Sequence, residues 1–244
     1  MGAPRELAPS VQKVLILLPS LNEELAIQTI IDDIRNQDLE SRYSLEMMLV
    51  DGNSKDKTVD IARENEIEVL IQSNHDGKAG GISEAIDQLK ARHAEGIGPD
   101  IVIMLDSDGS YPPNEIHKLL EMLERKDVVS GNRLNKMSDP KSITKLHRFG
   151  NFALSLAASV LYFKRIKDVC TGYWGFRMEA LDMIQINSKG FNLEAEIYSK
   201  LSRKKLSHGE VDVTFRRREG ESSLIWYKDG PRIFFSLFYF RFFK

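Results

Sequence analysis

Short apolar runs alternate with amphipathic stretches along the first half of the chain. The runs at 14–18, 47–50 and 101–105 are short and rich in branched side chains, so each predicts a buried strand. Between and after them, apolar residues recur every three or four positions, which predicts helices over 23–37, 56–65, 78–92 and 114–124. Strands that alternate with helices predict an α/β fold with a doubly wound, mainly parallel sheet and flanking helices.

The second half carries two longer apolar segments. Residues 141–164 place apolar side chains along one helical stripe that begins near Arg148, and residues 233–243 are almost wholly aromatic and aliphatic. Neither segment reaches the roughly 18 to 20 apolar residues needed to span a bilayer. Each is either packed on the sheet or lies in the membrane interface. We expect one catalytic domain over 1–232 and a membrane-associating segment over 233–244, so that the fold carries interfacial helical segments near its C-terminal end.

Two aspartates, Asp106 and Asp108, directly follow the apolar run at 101–105. Two carboxylates this close repel each other, and neither can turn into the core unpaired. A divalent cation would relieve the repulsion, and hard oxygen ligands suit Mg²⁺ or Mn²⁺ that carries a substrate's phosphates. The alternative is an ordinary turn, because Asp, Ser, Gly and Pro are all turn formers.

Polar residues also follow the other two strands of the first half. Pro19, Asn22 and Glu23 come after the run at 14–18, and Asp51 comes after the run at 47–50. The carboxyl ends of parallel strands meet at one edge of a sheet, and ligands bind at that edge in open α/β folds. The sequence therefore predicts a polar ligand site there.

Four motifs in a fixed order extend this pattern. They are P-x-x-N-E at 19–23, D-x-x-S-x-D-x-T at 51–58, G-K at 77–78 and D-x-D at 106–108. This order resembles the nucleotide-sugar domain of family 2 glycosyltransferases, which have the GT-A fold. The second half continues with T-G-x-x-x-F-R at 171–177, F-x-x-E-x-E at 191–196 and R-x-x-G-x-S at 217–222. Over roughly 14–232 the chain looks like the dolichol- or polyprenol-phosphate hexosyltransferases, in particular the archaeal enzymes that begin N-linked glycans.

This resemblance implies a metal-dependent, inverting enzyme. It would move one sugar from a nucleotide diphosphate sugar, with a UDP-sugar favoured, to dolichyl or polyprenyl phosphate for N-glycan or other cell-surface glycan assembly. Two positions depart from the family: Gly109 and Ser110 follow the D-x-D where several mannosyl members carry a metal-binding Gln, and Gly52 follows Asp51 where many members have a second Asp.

The resemblance also implies roles for individual residues. Asp108 would be the main ligand of Mg²⁺ or Mn²⁺, and Asp106 would place the sugar or share the metal. Glu194 and Glu196 could orient the sugar or an arginine. The remaining donor contacts would be Pro19, Asn22, Glu23, Asp51 and Lys78, and the acceptor phosphate would meet Arg133, Arg148, Thr171 and Arg218. Because Arg binds phosphate through a planar fork of donors, arginines suit an acceptor that is already ionised.

The distribution of charged residues along the chain limits the classes of partner that the protein can bind. The formal net charge of −2 gives no case for nucleic acid, but residues 203–244 carry ten Lys or Arg against five Asp or Glu. A basic, aromatic section suits an anionic membrane surface.

Cys170 is the sole cysteine and predicts a buried structural thiol in a reducing compartment. Residues 1–12 lack the apolar core of a signal peptide. We therefore expect the cytoplasmic face of a membrane, with peripheral or interfacial attachment.

Three alternatives remain open from the sequence. The first is a GDP-mannose-dependent dolichyl-phosphate mannosyltransferase. The second is a transferase of the same fold with a soluble or glycan acceptor, in which Glu194 or Glu196 would be the base. The third is a sugar-nucleotide binding protein without catalysis.

Overall fold

The structure is a computed structural model, and it describes residues 11–37, 39, 42–73, 76–137, 145–188, 190–218 and 226–243. Seven strands form one sheet: β1 (Gln12–Ser20), β2 (Tyr43–Asp51), β3 (Glu68–Ile71), β4 (Ile101–Leu105), β5 (Val128–Met137), β6 (Tyr173–Arg177) and β7 (His208–Phe215). The helices are α1 (Ile27–Arg35), α2 (Thr58–Glu64), α3 (Gly77–Ala94), α4 (Ile116–Leu123), α5 (Lys145–Tyr162), α6 (Met178–Asp182), α7 (Leu193–Arg203) and α8 (Trp226–Phe242). Short 3₁₀ turns occupy Pro113–Glu115 and Gly190–Asn192.

The sheet order is β3-β2-β1-β4-β6-β5-β7. All neighbouring pairs are parallel except those of β6, which runs antiparallel to β4 and β5. The mainly parallel, helix-flanked α/β sheet predicted from the sequence is confirmed. Strand β6 was not predicted, because Tyr173–Arg177 is interrupted by Gly175 and begins inside a motif of glycine and aromatic residues, so it lacks a continuous run of branched apolar side chains.

Helices cover both faces of the sheet. In β1, Leu15 and Leu17 pack toward α3 and α7, whereas Ile16 and Leu18 pack toward α1 and α4. A strand that is buried on both faces needs apolar residues at consecutive positions. This explains why β1 and β4 are continuous apolar runs, and why their polar residues begin only where the strands end.

The two apolar segments of the second half form adjacent helices. Helix α5 packs against α8, with the Tyr162 hydroxyl donating to the Leu237 carbonyl at 2.7 Å and Arg241 Nε donating to the Leu161 carbonyl at 2.9 Å. Residues 141–144 of the predicted segment lie outside the described residues. The expected boundary at 232/233 falls inside α8, and the division into two segments stays a prediction. No helix among the described residues is long and apolar enough to cross a bilayer.

Together α5 and α8 expose an apolar surface, which we call the aromatic face. Phe163 is 89% exposed and Phe235 is 67% exposed, although such residues are ordinarily buried in a soluble domain. The face consists of Leu146, Phe149, Phe152, Leu156, Val160, Phe163, Phe234, Phe235, Phe238, Tyr239, Phe242 and Phe243. An exposed apolar patch of this kind marks a surface that meets a partner or a membrane.

Candidate active site

The loop that follows β4 presents two carboxylates to a cleft at the edge of the sheet. Between them, Ser107 is buried, and its hydroxyl donates to the Pro19 carbonyl at 2.8 Å and lies 2.6 Å from the Ser20 hydroxyl. With Ser107 turned inward, Asp106 and Asp108 keep 27% and 14% of their side-chain surface exposed. The contact through Pro19 also ties the loop after β1 to the D-x-D.

Lys78 holds Asp106 in place. Its ammonium lies 2.6 Å from Asp106 Oδ1 and 2.7 Å from Glu194 Oε1, so one cation joins two carboxylates. Burial raises the pKa of Asp106, and the charge of Lys78 opposes that rise. The other oxygen of Asp106 faces the backbone at Gly172, where a Cβ atom would lie only 1.8 Å from Oδ2. Only glycine at position 172 is compatible with this placement of Asp106.

Asp108 faces the opposite side of the cleft. Its Oδ1 accepts the Ser110 backbone N–H at 3.0 Å, and its Oδ2 lies 3.4 Å from Arg218. Arg218 also lies 3.0 Å from Glu23 Oε1. Burial raises the pKa of Glu23 to about 7, Arg218 opposes the rise, and Asp108 adds to it. The structure therefore places Arg218 among the expected donor contacts, and its role toward an acceptor phosphate stays a prediction.

The loops after β1 and β2 brace each other. The Asn22 side-chain oxygen accepts the Lys55 backbone N–H at 2.8 Å, and Asn22 adopts a positive φ of 56°, which Asn tolerates better than most residues. Asp51 is buried, and its Oδ2 accepts the backbone N–H groups of Asn53 and Ser54 at 2.9 and 3.0 Å. These bonds give Asp51 a visible role in shaping the loop, while its contact with a nucleobase stays a prediction.

Arg133 lies in a buried network. Its guanidinium meets Asp168 Oδ2 at 2.9 Å, the Tyr111 hydroxyl at 3.2 Å and the Cys170 carbonyl at 2.7 Å. Burial raises the pKa of Asp168, and the positive charge of Arg133 opposes that rise. Each buried charge is therefore stabilised by the other. Much of the hydrogen-bonding capacity of Arg133 is therefore used within the protein.

The other expected acceptor residues differ sharply in exposure. Arg148 is exposed near the start of α5 and donates one bond, to the Leu134 carbonyl at 3.0 Å; it forms no ion pair with a carboxylate of the described residues. Thr171 is fully buried, and its Oγ1 accepts the Tyr173 N–H at 3.3 Å. Arg148 is thus available to a ligand, whereas the Thr171 side chain packs beneath the site.

Two residues of the site carried no predicted role in the sequence. Tyr111 accepts the Gly172 N–H at 3.0 Å as well as Arg133, and burial raises its pKa to about 12, so the phenol stays protonated. Asp168 is wholly buried against Arg133. A carboxylate directly before the apolar and small residues 169–172 was the available signal for Asp168, because a buried charge needs a partner.

Glu194 and Glu196 were equivalent in the sequence, and the structure separates them. Glu194 reaches the cleft through Lys78, whereas Glu196 is fully buried and accepts the backbone N–H groups of Asn187 and Ser188 at 2.9 and 2.7 Å. Glu196 therefore holds a loop, and Glu194 alone faces the site.

The thiol of Cys170 is protonated near neutral pH, because burial raises its pKa to about 12.

A divalent metal fits the oxygen chemistry of this cleft. Within the part of the chain that the structure describes, no group of three or more His, Cys, Asp or Glu side chains is arranged to hold a metal ion. Mg²⁺ sites that carry phosphates commonly use only one or two carboxylates and take their other ligands from the substrate and water. In this protein, Asp108 Oδ2 and Asp106 would be the carboxylate ligands.

Comparison with known proteins shows which protein family the chain belongs to. The family model for glycosyl transferase family 2 matches residues 15–184. A dolichyl-phosphate hexose transferase from Haloferax volcanii is 30% identical over 221 residues, which cover 89% of each chain. The glycosyltransferase AglJ of the same organism is 29% identical over 94% of this chain and 72% of its own length. A UDP-N-acetylglucosamine–dolichyl-phosphate N-acetylglucosaminyltransferase from Methanococcus voltae is 24% identical over 82% and 84%.

Solved structures agree on the fold. Glucosyl-3-phosphoglycerate synthase from Mycobacterium tuberculosis, crystallised with Mn²⁺, UDP and glucosyl-3-phosphoglycerate, superposes with a TM-score of 0.67 over 94% of this chain and 80% of its own, at 18% identity. Mannosyl-3-phosphoglycerate synthase from Rubrobacter xylanophilus gives 0.67 over 94% and 73%, also at 18% identity. The fold is GT-A, and the chain belongs to glycosyl transferase family 2. The resemblance read from the motifs is confirmed at this level, and the protein is a glycosyltransferase.

Proposed function

We propose that this enzyme transfers one sugar from a nucleotide diphosphate sugar, with a UDP-sugar favoured, to dolichyl or another polyprenyl phosphate. The observation that carries the acceptor assignment is the juxtaposition of Arg148 with the aromatic face. An exposed cation at the start of an apolar stripe suits a molecule with an ionised head and a hydrocarbon tail. The names of the Haloferax and Methanococcus relatives support the same acceptor class.

The donor would lie across the ends of β1, β2 and β4. Glu23, Asn22 and Asp51 surround the nucleoside end, and Asp106 and Asp108 face the diphosphate. A bound Mg²⁺ or Mn²⁺ would neutralise the leaving diphosphate. Lys78 keeps Asp106 in one orientation, and Gly172 leaves room for that orientation, so the chain presents a preformed pair of carboxylates.

The acceptor would enter from the side of α5. A phosphate is already ionised near neutral pH, so the enzyme needs to position it rather than to remove a proton. Arg148 offers a guanidinium without a carboxylate partner among the described residues, and Arg133 would add the N–H groups that its network leaves unused. Lys78 already binds Oε1 of Glu194, and Glu196 is buried away from the cleft, so neither candidate base of the soluble-acceptor alternative is placed to receive a proton from an acceptor.

The aromatic face would rest in the membrane interface. An amphipathic surface of this kind, rimmed by cations, binds best to membranes that contain anionic lipids. The prenyl tail would then stay in the lipid while its phosphate reaches Arg148. Because the sole cysteine, Cys170, suits a reducing compartment, we propose that this happens at the cytoplasmic face.

A panel of donors tests the proposed function. Purified enzyme is incubated with one acceptor, either dolichyl phosphate in detergent or 3-phosphoglycerate, and with one donor, UDP-glucose, UDP-N-acetylglucosamine or GDP-mannose. Each mixture contains Mg²⁺, Mn²⁺ or EDTA. We expect metal-dependent transfer from one UDP-sugar. Transfer only from GDP-mannose would support the mannosyltransferase alternative. Transfer to 3-phosphoglycerate but not to dolichyl phosphate would contradict the lipid acceptor, and donor binding without any transfer would indicate a binding protein.

Replacing Arg148 with Ala is expected to raise the KM for the lipid phosphate and to leave the KM for the donor unchanged. A hydrogen bond to a charged group contributes roughly 1.5 to 3 kcal/mol, so the KM should rise about tenfold or more. The melting temperature should not change, because Arg148 is exposed. Initial rates with each substrate varied separately provide the measurement.

Arg133→Ala is the comparison for that experiment. It leaves the Asp168 carboxylate buried without its cation, which costs about 3 to 5 kcal/mol in such sites. This variant should therefore lose thermal stability as well as activity. Equal effects of Arg148→Ala on both substrates, or none on either, would contradict the acceptor role of Arg148.

Replacing Phe235, Phe238 and Phe242 together with Gln is expected to weaken binding to anionic liposomes by about tenfold or more, because three exposed apolar side chains no longer enter the interface. Removing residues 233–244 is a poorer test, since Ile233, Leu237 and Phe240 are buried in the core. Co-sedimentation and transfer to long-chain prenyl phosphates give the measurement.

A matched control replaces Ile97 and Met183, which are 63% and 47% exposed and lie away from the aromatic face. This Ile97→Gln, Met183→Gln variant should sediment with liposomes like the original enzyme. Transfer to a short, water-soluble prenyl phosphate should be nearly unchanged in both variants. If the triple Phe variant still binds liposomes normally, the aromatic face is not the membrane contact.

A further inference from the structure

One buried hydroxyl group joins the two sides of the cleft. Tyr111 is only 1% exposed. Its phenol oxygen accepts the Gly172 backbone N–H at 3.0 Å and a guanidinium N–H of Arg133 at 3.2 Å. Thr171 Oγ1 lies 3.4 Å from the same oxygen. A single atom therefore links the loop after β4 to the residue that precedes β6 and to strand β5.

On one side, Tyr111 is tied to both carboxylates of the D-x-D. Gly172, whose N–H the phenol accepts, is the residue whose backbone lies against Asp106 Oδ2. Tyr111 also directly follows Ser110, and the Ser110 backbone N–H donates to Asp108 Oδ1 at 3.0 Å. A change at the phenol would therefore reach the neighbours of both acidic side chains.

On the other side, the phenol helps to orient the guanidinium of Arg133. Asp168 and the Cys170 carbonyl hold the guanidinium from other directions. The Phe215 ring also packs against it, with 5.3 Å between the guanidinium carbon and the ring centroid, and the same ring meets the Tyr111 ring edge to face. A guanidinium is planar, so contacts that fix its plane also fix the direction of its remaining N–H groups.

We infer that Tyr111 is a positioning residue, whose hydroxyl fixes Arg133 relative to the acidic pair of the D-x-D; this rests on the proposed acceptor. In the proposed reaction, Arg133 contacts the acceptor phosphate and the acidic pair faces the leaving diphosphate. Transfer requires the attacking oxygen and the leaving group to be aligned, so the distance between the two sides of the cleft affects the rate. A displacement of about 1 Å can cost about a hundredfold.

Tyr111→Phe removes only this oxygen, and the ring still fills its space. We expect kcat for transfer to dolichyl phosphate to fall about tenfold or more, because two N–H groups lose their common acceptor. The KM for the lipid phosphate and the dissociation constant of the donor with Mn²⁺ should each change by less than about threefold, since the charges that bind both substrates remain. Initial rates and calorimetric titration below the melting temperature give the measurements.

Tyr173→Phe is the matched control. Tyr173 is also fully buried, and its ring meets the Tyr111 ring edge to face at 5.6 Å between centroids. Its hydroxyl, however, has no hydrogen-bond partner among the described residues. Because this substitution removes no hydrogen bond, kcat should stay unchanged and the melting temperature should not fall.

A double-mutant cycle tests whether the hydroxyl acts through Arg133. Arg133→Lys keeps a cation beside Asp168 but removes the planar fork that meets the phenol. Adding Tyr111→Phe to Arg133→Lys should therefore lower kcat much less than adding it to the original enzyme. With Arg148→Ala the two effects should multiply, because Arg148 donates to the Leu134 carbonyl and not to the phenol.

Three results would overturn the inference. An unchanged kcat in Tyr111→Phe, or its unfolding at the assay temperature, would show that the hydroxyl serves only the fold. Independent effects of Tyr111→Phe and Arg133→Lys would show that the phenol does not act through the arginine. A loss of donor binding as large as the loss in kcat would place Tyr111 in the donor site. Absence of transfer to dolichyl phosphate by the original enzyme would instead contradict the proposed function, and this inference with it.

Discussion

Replacing Asp108 with Asn should abolish sugar transfer while the protein stays folded. Asp108 lies past the end of β4, where its carboxylate is partly exposed and contributes nothing to the apolar core. Asn keeps the shape and removes the charge that would hold a divalent cation on the diphosphate. Loss of one such electrostatic group costs about a hundredfold to a thousandfold in rate, and loss of the metal would add to this.

The measurements are initial rates and the melting temperature. EDTA should abolish transfer by the original enzyme, and added Mn²⁺ or Mg²⁺ should restore it. Asp87→Asn, at an exposed position on α3, is the matched control and should retain full activity. Full activity of the original enzyme in excess EDTA would contradict the metal, and a melting temperature that falls with activity would mean that Asp108 supports the fold.

Adding one methyl group at Gly172 should also eliminate transfer. A Cβ at this position would lie 1.8 Å from Asp106 Oδ2 and 2.4 Å from its Cγ, far inside contact distance. Either the Asp106 carboxylate or the backbone before β6 must move, and a displacement of about 1 Å at a catalytic group can cost about a hundredfold. The φ of Gly172 is not in the left-handed region, so the effect would be steric and local.

Gly150→Ala is the control, because a Cβ on that glycine of α5 meets nothing within 4 Å. It should leave activity unchanged and stabilise the helix by about 0.5 to 1 kcal/mol. For Gly172→Ala, binding of the donor with Mn²⁺ should weaken together with the rate. Normal rates in this variant would mean that Asp106 is free to move without loss, and that its observed placement is not required.

Much of the fold follows from local patterning. Strands β1 and β4 are apolar at consecutive positions, so their sequence shows both that they are strands and that both faces are covered. Strand β6 could not be recognised in this way, because Tyr173–Arg177 begins inside a motif of glycine and aromatic residues. Its antiparallel direction depends on where α5 returns the chain, and local sequence carries little information about such a path.

Part of the candidate site could also be predicted from residues that are close together in the sequence. Asp106 and Asp108 stand directly past a buried strand, with one serine between them. The order of the four first-half motifs predicted the GT-A fold and family 2, both of which the comparisons confirm. These features depend on residues within a few positions of each other or on their order, which the sequence displays directly.

What the sequence alone determined is therefore the fold class, the family and the acidic pair at the end of β4. The partners of the charged residues were decided only by tertiary structure. Arg133, Arg148 and Arg218 look alike in sequence, yet one is buried against Asp168, one is exposed beside the aromatic face, and one bridges Glu23 and Asp108. The reason is physical: a charge takes its role from the groups that packing brings within a few ångströms, and here those groups come from distant parts of the chain.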